Sequence, residues 1–429
     1  MAKNTDPALQ KQVIYSVYVR AHTEEGTFRA ILPDLDRIQS LGVDIIWFMP
    51  IHPIGVEGKK GSLGCPYANR DYRSVNPCYG TQEDFEALCE AIHARGMKVM
   101  IDVVYNHTSP DSVLFHEHPE FFYRDADGQP GNKIGDWADV IDLDYNNPAL
   151  WDYQIESLCR WAHIVDGFRC DVASFVPVEF WRKAREAVAQ VHPGCIWLAE
   201  TVNGGFGAYA RHLGFTSTTD YEMFSAFDLE YEYDIRSVFD RYLRGEIALS
   251  HWLDMVNFQE AAYPDNYNKM RCLENHDQPR IASFIHNESD LRSFTALLYF
   301  LKGTTLLYAG QETENTHAPS LFEKEPVDWH TGRDLSPLLK RLSEIKHTVL
   351  DPDDSFTANA DDEHHIALLE RETLTCRKLG VFPLRSLSAP VKVNAPDGIY
   401  ENLIDGSEIL VENGRFLCTG TPAIFTVQR

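Results

Sequence analysis

Positive charge is scarce in this chain. Its 39 Lys and Arg face 64 Asp and Glu, a formal balance of −25. So acidic a chain repels polyanions, which argues against nucleic acid and anionic lipid as partners. No run of roughly 18 apolar residues occurs, so no segment is expected to span a membrane. The opening MAKNTDPALQ carries no apolar core of the kind a secretory leader needs, and a cytoplasmic location is expected. The nine cysteines form no CxxC pair and no zinc spacing, which excludes a metal-stapled or disulfide-scaffold domain. Cys159, Cys170, Cys195 and Cys272 lie in apolar stretches as small hydrophobes, and Cys65 and Cys78 would pair only in an oxidising compartment. The sequons at Asn106 and Asn287 carry no weight without secretion. Internal repeats and low-complexity segments are lacking too.

What remains is the composition of a folded enzyme, with 44% hydrophobic and 24% charged residues. Short β-branched runs alternate with stretches of helical periodicity along the first 350 or so residues. Strands are predicted near 13–19, 44–48, 98–103, 164–169, 195–199, 215–219, 270–273 and 304–308. Helical patterns fall at 27–41, 82–95, 150–161, 178–190, 235–249, 280–301 and 337–349. Thr81 with Asp84 forms a capping-box pattern, Gly42 and Gly96 stand where left-handed C-caps belong, and Ser336 is placed as an N-cap before Pro337. This alternation predicts an α/β fold, a (β/α)₈ barrel formed by 1–107 and 148–350. An aromatic- and Asp-rich excursion after the third strand, 108–147, is expected on the functional face. From 351 to 429, short strand-like runs punctuated by Gly, Pro and Asn predict a small antiparallel, sandwich-like β-domain. The acidic run 351–354 reads as a solvated linker.

In such a barrel, chemistry sits at the C-terminal ends of the strands. Those ends read Asp102-Val-Val-Tyr-Asn106-His107, Gly167-Phe-Arg169-Cys-Asp171, Trp197-Leu-Ala-Glu200 and Glu274-Asn275-His276-Asp277. Period-2 alternation places Arg169 and Asp171 on one face, where a guanidinium keeps a carboxylate ionised and nucleophilic. Glu200 follows an apolar run with no cation adjacent in sequence, a setting that raises a carboxyl pKa and suits a general acid. Asp277 supplies a further anion beside a cationic transition state. This is the equipment of a retaining glycosidase, with the two working carboxyls ~5–5.5 Å apart. His107 and His276 suit sugar hydroxyls, and Tyr67, Trp47, Tyr105, Tyr123 and Trp137 are candidate stacking surfaces. The segment Gly58-Lys-Lys-Gly-Ser62 fails the spacing of a phosphate loop, and His116-Glu-His118-Pro-Glu120 reads as solvated loop rather than a metal site.

The strings DVVYNH, GFRCD, WLAE and ENHD, in this order and spacing, closely resemble the four signature regions of the α-amylase family, glycoside hydrolase family 13. GSLGCPYANRDY, YGTQEDFEAL and YAGQE resemble further family segments, so the likeness spans about residues 13–350. It implies Asp171 as nucleophile, Glu200 as general acid/base and Asp277 as transition-state stabiliser. Arg169, His107 and His276 would hold the sugar, Tyr67 would be a stacking platform, and Asp102 and Asn106 would be structural at the site. The family's Lys-His after the nucleophile is replaced by Val172-Ala-Ser-Phe175, so Asn106 alone remains as a calcium ligand. No metal site and no required cofactor are expected. DVASFVPVEFWRKAR resembles the intracellular neopullulanase and cyclomaltodextrinase group, although the N-terminal domain usual there is not expected. The expected partner is an α-glucan or malto-oligosaccharide, with α-1,4 bonds as the main target. Transglycosylation or sugar isomerisation on the same triad is the alternative, and a non-catalytic carbohydrate-binding barrel a remote one.

Overall fold

The computed structural model describes residues 4–134 and 137–428. Eight parallel strands close into a barrel in strict chain order: β1 (Val13–Val17), β2 (Ile45–Phe48), β3 (Lys98–Val103), β4 (Gly167–Cys170), β5 (Ile196–Ala199), β6 (Leu229–Tyr231), β7 (Lys269–Arg271) and β8 (Thr304–Tyr308). β1 pairs with both β2 and β8, so the first and last strands seal the ring. Strand alternation divides the core. Ile45 and Trp47 fill the lumen with Ile14, Met100, Leu198 and Leu306, while Ile46 and Phe48 face the helices.

Local signals account for most of the helices. Thr81 and Asp84 exchange the two hydrogen bonds of a capping box at the start of Gln82–His93. Gly42 and Gly96 adopt φ of 79° and 75°, the left-handed geometry that stops a helix. The predicted helix over 27–41 is broken: Pro33 sits in a short 3-10 turn (Leu32–Asp34) between Phe28–Ile31 and Leu35–Ser40. The stretch 235–249 becomes two helices, Tyr233–Leu243 and Leu249–Ala262, with Gly245 at φ 73° between them. The last barrel helix starts at Ser336, one residue before the expected position, with Pro337 inside its first turn.

The sixth strand is not at 215–219. That segment leads into the turn of helix Asp220–Met223, where Thr219 is the capping residue, and β6 lies at Leu229–Tyr231 instead. Two acidic residues disguise β6. Glu230 is buried against Lys269 of β7 at 3.1 Å, and Glu232, just past the strand, meets Arg271 at 3.1 Å. Charges that cancel across neighbouring strands can be buried, but they erase the apolar signature of a strand.

Beyond residue 350 lie two four-stranded antiparallel sheets. One contains β9 (Ser355–Asp361), β10 (Ile366–Glu372), β11 (Cys376–Pro383) and β16 (Ala423–Gln428). The other contains β12 (Ser388–Lys392), β13 (Gly398–Glu401), β14 (Glu408–Glu412) and β15 (Arg415–Thr419). Residues 373–375 form the turn between β10 and β11, in which Thr373 Oγ1 accepts from the Cys376 N–H. The acidic run is no solvated linker at its end: Asp354 is buried, accepts from Arg371 Nε at 3.2 Å and pairs with Lys378. All nine cysteines are free thiols. Among the described residues, no helix is long and apolar enough to cross a membrane.

Candidate active site

The mouth of the barrel is built around Arg169, near the end of β4. Its Nη1 lies 2.7 Å from Asp171 Oδ1 and 2.9 Å from Asp102 Oδ1, and its Nη2 lies 2.8 Å from Glu200 Oε1. Nε donates to the Tyr231 hydroxyl at 3.1 Å. One buried guanidinium thus gathers carboxyls from the ends of β3, β4 and β5. The pairing of Arg169 with Asp171 follows from strand alternation. The contact with Glu200 does not, because it crosses between strands, and Glu200 therefore does have a cation beside it.

Glu200 nonetheless favours its protonated form. Burial pushes its carboxyl well above the usual range; Arg169 opposes this, while the charges of Asp171 and Asp277 reinforce it. Its Oε2 accepts from the Val172 N–H at 2.7 Å. That bond depends on a left-handed backbone at Val172, φ 36° and ψ 42°, a conformation a β-branched residue rarely adopts. The strain sits directly after Asp171 and aims an N–H at the acid.

Asp277 completes the set of carboxyls. Burial would raise its pKa, but the His276 imidazole and Arg169 hold it below the usual carboxylate range. His276 Nε2 is 3.1 Å from Asp277 Oδ2 and 2.7 Å from the Tyr67 hydroxyl, which donates to Asp102 Oδ2 at 3.0 Å. The Tyr67 ring stacks on His276 at 5.4 Å. Asp102 is linked in this way to both Arg169 and the histidine. His107 lines the same cavity, with Asn106 Nδ2 3.2 Å from its Nδ1.

These residues enclose a cavity of about 210 Å³ that holds Tyr67, His107, Asp171, Glu200, His276 and Asp277. Of the aromatic candidates, Trp137 lines it as well. Trp47 is fully buried in the lumen with its edge toward His276, Tyr105 stacks on Trp181 in the core, and Tyr123 packs on Phe215 away from the triad. Sequence reasoning missed Lys60 and Asp139, an ion pair of 2.8 Å on the cavity wall, as well as Leu321. No periodic or motif signal marks them, because loops from distant parts of the chain bring them together.

Asn106 stands beside Asp142 at the base of the excursion, the one place where a calcium ligand was foreseen. The position is filled by the chain's own donors. Asp142 Oδ2 accepts from the Lys133 N–H at 2.7 Å, and Asn106 Nδ2 lies 3.5 Å from Oδ1. The Lys133 amino group donates to the Leu143 carbonyl at 2.5 Å. These are hydrogen-bond donors where a cation needs bare oxygens, so the residues present do not fit calcium. Among the described residues, no three His, Cys, Asp or Glu side chains converge as metal ligands elsewhere.

Comparison with known proteins gives a consistent result. The profile described as alpha amylase, catalytic domain, matches residues 5–138 and 134–353, and that of the bacterial alpha amylase C-terminal domain matches residues 357–425. The crystal structure of an alpha-amylase from Lactobacillus plantarum is 41% identical, with a TM-score of 0.95 over 98% of this chain and 100% of that one. A noncanonic maltogenic alpha-amylase, AmyB from Thermotoga neapolitana, is 31% identical with a TM-score of 0.87, covering 98% of this chain and 99% of that one. Alpha-amylase MalA of Haloarcula japonica is 28% identical over 350 residues, 79% of this chain. The match spans only 49% of MalA, about half its length.

Proposed function

Since the chain belongs to the alpha-amylase family, we propose that it is a retaining glycoside hydrolase of malto-oligosaccharides or α-glucans, acting mainly on α-1,4 bonds. The observation that carries this reading is the single guanidinium of Arg169 holding Asp171 and Glu200 side by side in one buried pocket. Two carboxyls facing one pocket, with burial favouring the protonated form of Glu200, supply the nucleophile and the acid of a double displacement.

In the first step Glu200 gives its proton to the glycosidic oxygen while Asp171 attacks the anomeric carbon, forming a covalent glycosyl-enzyme. Losing that proton leaves Glu200 as the base that activates water in the second step, so configuration at the anomeric carbon is retained. Asp277, held ionised by His276, faces the positive charge that develops on the sugar ring. Tyr67 and Asp102 lock His276 in one orientation. His107 and His276 present ring nitrogens to sugar hydroxyls.

A time course on maltoheptaose that resolves product length and anomer tests this. Short products released as the α-anomer support the hydrolase, products longer than the substrate point to transfer, and β-anomers overturn the double displacement. We also propose that no calcium is required. Lys133 does by hydrogen bonding what a cation would otherwise do, tying the excursion together at Asp142 and Leu143.

A further inference from the structure

The Gly58–Ser62 segment, which the phosphate-loop spacing excluded, closes one side of the pocket. Ser62 donates its N–H to Glu323 Oε1 at 2.8 Å, its hydroxyl bonds the same carboxylate, and the Leu63 N–H donates to the Phe322 carbonyl at 3.0 Å. Arg20, just past β1, donates to the carbonyls of Gly64 and Leu321 at 3.1 Å and of Leu63 at 3.3 Å. Lys60 reaches across to Asp139 in the excursion, 2.8 Å away. The loops that follow β2, β3 and β8 are thereby zipped into one wall, and Lys60, Asp139 and Leu321 form its inner surface.

The position of this wall in the ring gives it meaning. Strand order runs sequentially around the barrel, so β1 stands opposite β5. The wall is centred on β1, and Glu200 stands at the end of β5. In the reaction proposed above, the glycosidic oxygen must lie against Glu200, and the leaving chain continues on that side. C4 of a glucose ring is opposite C1, so the sugar's non-reducing end points away from Glu200 and into the wall. The cavity, about 210 Å³, lies below the ~300–1,000 Å³ usual for ligand pockets, which leaves little room for a glycone that continues past the wall.

We propose that the enzyme is exo-acting. It takes the non-reducing end of a malto-oligosaccharide, and Lys60 and Asp139 meet the hydroxyls of the terminal sugar as specificity-determining residues. The charged pair offers a donor and an acceptor to hydroxyls that only a chain end presents. This inference rests on the hydrolase reading, and its test separates the two.

4-Nitrophenyl maltoheptaoside is compared with the same compound carrying a 4,6-O-ethylidene cap on its non-reducing terminal sugar, with nitrophenyl products resolved by length. The uncapped substrate should shorten from its non-reducing end, and the cap should slow the reaction about tenfold or more, since a pocket rejects even one added methylene by that order. Equal rates with cuts in mid-chain overturn the exo assignment and leave the hydrolase standing. Inertness of both compounds overturns the hydrolase and the inference with it. Lys60→Ala and Glu323→Ala should each bring the capped-to-uncapped rate ratio closer to one. A ratio unchanged in both variants overturns the assignment of the selectivity to this wall.

Discussion

Arg169 carries one positive charge and meets the carboxyl groups of Asp102, Asp171 and Glu200. All three cannot ionise cheaply in a buried site: burial raises the Glu200 carboxyl well above its usual range, reinforced by the charges of Asp171 and Asp277, and pushes Asp102 up to about 7. The alkaline limb of kcat/KM should therefore lie well above the ~4.3 of an ordinary glutamate; a pH-rate profile falling off in that ordinary range would contradict the role of Glu200. Glu200→Gln should lower kcat by about 10² to 10⁴, the range general acids contribute, and circular dichroism should show the fold intact. Stability carries the same signature. A carboxyl raised in the folded state contributes stability that is complete below its unfolded pKa and is lost as pH rises through its folded pKa. The variant lacks this loss, so its Tm relative to wild type should climb with pH across that window. Scanning calorimetry at several pH values checks the sign.

At the scale of elements, strand ends were legible and loop closures were not. Arg169, Asp171, Glu200, His276 and Asp277 stand at or just past the ends of apolar runs, where the barrel's own geometry gathers them. β6 was misplaced because Glu230 and Glu232 are charged, and their partners, Lys269 and Arg271, lie about 40 residues on. Lys60, Asp139 and Lys133 were unreadable for a related reason: each acts through a residue brought near only by the fold. Lys133 gives a direct test. Lys133→Met removes the amino group's bond to the Leu143 carbonyl and should lower Tm and weaken activity by loosening the excursion there. A chelator should leave the Tm and rate of the wild type unchanged. A loss of activity in chelator that calcium restores would refute the metal-free assignment.

Across the whole molecule, the C-terminal sheets are bonded to the barrel. Asn257, on helix Leu249–Ala262, donates to the Ala358 carbonyl at 2.7 Å and accepts from its N–H at 2.8 Å. Ser250 donates twice to Asp362, and Arg371 reaches the Phe300 carbonyl. Asn257→Ala leaves both polar groups of Ala358 without partners and should cost about 1–3 kcal/mol in chemical denaturation. Thermal unfolding should remain a single transition. A separate early transition would mean that the sheets unfold on their own. The seam between β1 and β8 has a consequence during synthesis. Val13–Val17 leaves the ribosome long before its partner Thr304–Tyr308, which follows nearly three hundred residues later. At ~5–20 residues per second, a buried apolar strand waits many seconds with one edge unsatisfied. The nascent chain is thus exposed to edge-to-edge aggregation until β8 arrives, and the same residues that seal the finished barrel set its demand for chaperones.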